Sequence, residues 1–94
     1  MYRVEIISNI SVQDDIQEAL EETIPKILYT IVPEVYGRGG DDRKLGTTTW
    51  PETNFMIISY IDDNYLDALK AVMKAVKEKF PHEGIKYFII HSEE

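Results

Sequence analysis

Along YRVEIIS, residues 2–8, apolar Tyr2, Val4 and Ile6 alternate with Arg3 and Glu5, and the β-branched content predicts a first strand. The period then changes. In SVQDDIQEALEETIP, Val12, Ile16, Ala19, Leu20, Thr23 and Ile24 recur at three- and four-residue spacing as one apolar stripe, which predicts a helix. Ser11 is its candidate N-cap, with Asp14 three residues on and acids crowded into the first turn, where the helix dipole favours them. Pro25 ends it. KILYTIVPEVYG predicts a second strand, and because Pro33 cannot donate to a ladder, this segment belongs at a sheet edge or a bulge. NFMIISYI predicts a third strand, and DDNYLDALKAVMKAVKEKF a second helix. Asp62 to Asn64 are its capping candidates, and Leu66, Leu69, Val72, Met73, Val76 and Phe80 share its apolar face. Pro81 and Gly84 punctuate the exit into a fourth strand, IKYFIIHS.

The order β-α-β-β-α-β predicts a ferredoxin-like α+β fold: an antiparallel sheet, two helices on one of its faces, and a long loop between strands two and three. The reading is a single domain over residues 1–94, with the loop at about 37–54. A sheet with one solvated face should carry polar residues at alternate positions. Strand three instead sets Phe55, Ile57 and Ile61 on one side and Met56, Ile58 and Tyr60 on the other, and strand four sets Ile85, Tyr87 and Ile89 against Phe88 and Ile90. Two helices cover one face only, so the second apolar face predicts an interface, and for a small domain the expected partner is another copy of the chain.

The segment VYGRGGDDRKLGTTTWPETN, residues 35–54, has no apolar periodicity and exceeds an ordinary connection, a length usually reserved for functional or disordered loops. Gly37, Gly39 and Gly40 would permit positive φ and an anion-binding nest of backbone amides. Arg38, Arg43 and Lys44 could meet phosphate or carboxylate groups with charge-assisted bonds. GRGG is neither a Walker loop nor a dinucleotide fingerprint, because no helical pattern follows it. A plain flexible loop remains the alternative. Trp50, the only tryptophan, is either an anchor for a partner or packing for the loop base.

Composition narrows the function class. With 17 acidic and 10 basic residues the net charge is -7, so the phosphate neutralisation that drives nucleic-acid binding is missing over the surface as a whole. Residues 36–54, with equal numbers of acids and bases, are the one segment that is not acidic. Cysteine is absent, removing disulfides and thiolate metal sites, and no apolar run approaches the roughly 20 residues that span a bilayer. The expectation is a soluble, cytoplasmic protein, not membrane-embedded. Lys70, Lys74 and Lys77, with Asp63 and Asp67 before them, read as a solvated helix face. His82 and His91 have no neighbour at metal-ligand spacing, and no nucleophile or base stands out, so neither a metal site nor an enzyme is expected.

VPEVYGRGG, residues 32–40, resembles the start of the T-loop in PII signal-transduction proteins, where strand two ends in a V-T-E-V-x-G-x-G pattern. Val32, Glu34, Val35, Gly37 and Gly39 match in register, Pro33 replaces the threonine, and the element order and chain length are similar. The resemblance implies a homotrimer with sheets facing inward, adenine nucleotides such as ATP or ADP in the clefts between subunits, and a T-loop that engages a transporter, enzyme or regulator, as in nitrogen regulation. It would place Gly37, Arg38, Gly39 and Gly40 at the ligand-facing loop base. Gly84 and Lys86, with Glu83, would stand in the counterpart of the family's second phosphate loop, T-G-x-x-G-D-G-K-I-F, and Arg43, Lys44 and Trp50 would lie on the partner-binding loop.

The departures are specific. Gly40 and Asp41 stand where the family has a glutamine for nucleotide and 2-oxoglutarate, and a carboxylate there would repel both. No tyrosine lies between Arg38 and Asn54 to be nucleotidylated, and the family's basic residues after strand four have no counterpart before Glu94. FPHEGIKYFII is also similar to the H-P-Y-E-x-P segment of the CutA cation-tolerance proteins, trimers of the same fold, whose cysteine is absent here and which lack a glycine-rich central loop. A CutA-like or other metal-responsive or structural trimer without nucleotide binding is the alternative.

Overall fold

The computed structural model describes residues 1–39, 42–44 and 53–93. Strand β1 (Tyr2–Asn9) passes through a 3-10 turn (Ile10–Val12) into helix α1 (Gln13–Thr23). Then follow β2 (Tyr29–Val35), the short strands β3 (Gly37–Gly39) and β4 (Asp42–Lys44), and β5 (Asn54–Ile61). A second 3-10 turn (Asp63–Tyr65) leads into α2 (Leu66–Lys79), and β6 (Lys86–His91) comes last. The main sheet has the order β2-β5-β1-β6 with every neighbouring pair antiparallel, which is the ferredoxin-like α+β arrangement.

The two-residue period decides which side chains meet the helices. The register pairs Val4 with Ser59, Ile6 with Ile57 and Ser8 with Phe55, so these residues share one face. All are buried, together with Ile16 and Leu20 of α1 and Leu69, Val72, Met73 and Val76 of α2. Both helices therefore lie on that face. The opposite parity, including Arg3, Glu5, Ile7, Met56, Ile58 and Tyr60, is left without a layer, and Phe88 and Ile90 are each 50% exposed there. On this face Arg3 donates to Glu5 at 2.8 Å and to Tyr60 at 2.7 Å.

Strand β2 is an edge strand, and its pairing with β5 shifts between Val32 and Val35, where Pro33 withholds its donor. The helix starts differ from the sequence expectation. Ser11 does not cap α1, because the 3-10 turn delays the helix to Gln13; Asn9 Oδ1 caps that turn by accepting from the Ser11 amide at 3.0 Å. Asp62 precedes the second turn only through its carbonyl, which accepts from the Tyr65 amide at 3.0 Å, with no side-chain cap. Thr23, placed on the apolar stripe, is exposed at the last turn of α1. Among the described residues the ion pairs are Met1 with Asp63 and Arg3 with Glu5, so the acid-before-base spacing on α2 produces none.

Two buried serines make opposite predictions. Ser59 Oγ donates to the Leu28 carbonyl at 2.7 Å, whereas Ser8 Oγ has no partner among the described residues. Ser59→Ala should lower stability by about 1 kcal/mol and Ser8→Ala should leave it unchanged or raise it by about 1 kcal/mol, read from chemical denaturation midpoints. Equal losses at both positions would contradict the assignment.

Candidate ligand-binding site

The open face of the sheet ends in a concavity of about 540 Å³ beside the root of the long loop. Strand register builds its floor. Ile7 of β1 pairs with Met56 on one side and Lys86 on the other, so these three form one row across the sheet on the open face. Phe88 follows Lys86 along β6 on the same face, and Asn54, opposite Val35 at the start of β5, lies two residues before Met56. The loop root contributes Val35, Tyr36, Gly37 and Arg38, and the turn between α2 and β6 contributes Glu83 and Gly84.

Gly84 has φ +62, the left-handed conformation that turns the chain from α2 into β6 and sets the start of the strand at Lys86. An added Cβ would meet nothing within 4 Å, so Gly84→Ala carries only the backbone penalty, an expected loss of about 1 kcal/mol by thermal or chemical unfolding. Gly37 behaves differently from the sequence expectation. Gly37–Gly39 is extended and pairs with Asp42–Lys44 as a short ladder rather than curling into an amide nest, Gly37 has no positive φ, and the central segment carries structure of its own. An added Cβ at Gly37 would meet nothing within 4 Å.

Arg38 and Lys86 are exposed cations on the rim. Glu83 is half-buried, and its carboxylate accepts from Ser11 Oγ at 3.0 Å. Tyr36 presents an exposed ring, and its hydroxyl donates to Glu34 at 3.0 Å, which pushes the phenol pKa up because the carboxylate stabilises the protonated form. An apolar floor of Ile7, Met56 and Phe88 beneath two cations suits an amphiphilic anion: a flat apolar part on the floor, a phosphate or carboxylate at Arg38 and Lys86.

Of the residues singled out from sequence, Gly37, Arg38, Gly84 and Lys86 line this one concavity although nearly half the chain separates the two pairs. The Gly39 backbone continues from them in β3, and Arg43 stands opposite Arg38 and Lys44 opposite Gly37 in the β3–β4 ladder. Gly40, Asp41 and Trp50 lie outside the described residues. His82 is exposed in the turn, and His91 meets Tyr2 edge-on at 5.5 Å at the other end of β6. Among the described residues, no group of three or more His, Asp or Glu could hold a metal ion, and no helix is long and apolar enough to cross a membrane. Sequence reasoning did not assign Tyr36, Asn54, Ile7, Met56 or Phe88 to a site. The signal for Met56 and Phe88 was the second apolar parity, read there as an association surface alone.

No protein-family model matches the chain, and no curated protein matches it. Solved structures do. CPII from Thiomonas intermedia K12, a nitrogen regulatory PII-like protein determined with ADP, AMP and bicarbonate, superposes with TM-score 0.73 at 18% identity, over 94% of this chain and 81% of that one. Its apo form gives TM-score 0.66 at 16% identity, over 94% and 84%. A protein from Thermus thermophilus described as PII-like signaling gives TM-score 0.61 at 19% identity, over 94% and 82%. The chain has the PII-like fold. The sequence is divergent from these PII-like structures.

Proposed function

We propose that this chain is a PII-like regulator that binds an adenine nucleotide in the concavity beside the loop root and acts on a partner protein through residues 38–53. The observation that carries the proposal is the meeting of Gly37 and Arg38 with Gly84 and Lys86 over an apolar floor. The solved PII-like structures with ADP and AMP support that choice of ligand. Gly40 and Asp41 in place of the family's glutamine would weaken nucleotide and 2-oxoglutarate binding alike, so no second ligand is proposed.

The same geometry favours self-association, and the PII resemblance makes a homotrimer the expected assembly. Phe88 and Met56 belong both to the concavity and to the uncovered sheet face, so a second copy packed on that face would wall the ligand site from the other side. Regulation rather than catalysis, in the cytoplasm, completes the reading, with a transporter or enzyme as the regulated partner.

Calorimetric titration with ATP, ADP, AMP, cyclic AMP and bicarbonate tests the ligand, and light scattering at micromolar concentration tests the assembly. Saturable heat with an adenine nucleotide and a mass of three chains are expected, with Phe88→Glu lowering the mass. Absence of heat with every nucleotide overturns the ligand, and a stable monomer overturns the trimer.

A further inference from the structure

We infer that Glu83 limits the charge of the ligand, making the site selective for an adenine monophosphate over the triphosphate; this rests on the nucleotide reading above. Among the described residues lining the concavity, Arg38 and Lys86 are cations and Glu83 is an anion. Among those described lining residues the balance is a single positive charge, in a chain whose net charge is -7. Each further phosphoryl group on a nucleotide adds roughly one negative charge, and a carboxylate already lines the same concavity as the two cations. A monophosphate is matched by Arg38 and Lys86 alone. The outer phosphates of a triphosphate would add negative charge to a concavity that already holds the Glu83 carboxylate.

Glu83 is tethered through both its side chain and its backbone. Its carboxylate is held by Ser11 Oγ at 3.0 Å and its amide donates to the Phe80 carbonyl at 3.3 Å, on a turn fixed by the left-handed Gly84. It stands half-buried beside Ile7, Met56 and Phe88, whose apolar side chains lower the local dielectric and lengthen the reach of the charge. The Ser11 hydroxyl donates, so a glutamine amide oxygen would keep the bond while removing the charge.

The test is Glu83→Gln against the unmodified chain, titrated with AMP, ADP and ATP in metal-free buffer at fixed ionic strength. The unmodified chain should bind AMP tighter than ATP. Glu83→Gln should shift the ratio of ATP to AMP affinity by about tenfold toward ATP, an effect that fades with added salt. Tighter ATP binding by the unmodified chain, or an unchanged ratio in Glu83→Gln, overturns the role of Glu83 and leaves the nucleotide site standing. No binding of any nucleotide to either protein overturns the nucleotide reading and this inference together.

Discussion

Replacing Phe55 with alanine should lower the stability of the fold by about 3 to 5 kcal/mol, read from the denaturation midpoint at constant slope. Phe55 is fully buried on the helix-facing side of β5, opposite Ser8 on β1, and is the largest fully buried side chain among the described residues. Its removal forfeits the transfer energy of the ring and leaves a cavity that a sheet clamped by paired strands on both sides cannot close. Domains of this size are stable by roughly 5 to 15 kcal/mol, so one substitution consumes a large share. Phe88→Ala is the matched control. The same side chain, half exposed on the other face, should cost a dissociated chain about 1 kcal/mol or less while altering association and ligand binding. Similar losses for the two would mean that the helices do not define the core face.

That contrast marks what was legible in the sequence. The alternation in YRVEIIS fixes which of its residues face the helices, because a two-residue period allows only two solutions and Arg3 and Glu5 exclude one of them, whereas NFMIISYI, apolar on both sides, is oriented only by its register with β1. Pro33 marked β2 as an edge or a bulge because the missing donor is a local property, and the strand is at the edge with its register shifted there. The caps were less legible. Ser11 satisfies the local rule for an N-cap, but a 3-10 turn between β1 and α1 hands that role to Asn9 and sends the Ser11 hydroxyl to Glu83, a partner 72 residues away. The site was half legible: glycines and cations at positions 37, 38, 84 and 86 have a local signature, whereas its floor depends on the row Met56, Ile7, Lys86, and a row across three strands exists only once the register is set.

Arg38→Ala and Lys86→Ala should each weaken adenine-nucleotide binding by about 10- to 100-fold, the loss of one charge-assisted contact to a phosphate. Both side chains are exposed, and neither makes an ion pair among the described residues, so their removal should leave unfolding of the ligand-free chain within about 0.5 kcal/mol of the original. Separation of binding from stability is the diagnostic feature. Without ligand the variants should melt as the parent does; with ligand in excess the parent should gain stability that the variants lack, because ligand bound only to the native state raises its melting temperature. The conservative replacements should divide. Lys86→Arg keeps a cation that can reach a phosphate from the start of β6, whereas Arg38→Lys loses the planar fork at the loop root and should recover little. The double variant tests whether the two cations share one ligand. If both hold the same phosphate group, its loss should fall short of the sum of the single losses; full additivity would place Arg38 and Lys86 on separate parts of the ligand. Unaltered affinity in Arg38→Ala and Lys86→Ala alike would remove the concavity from consideration as the nucleotide site, whatever the chain binds elsewhere.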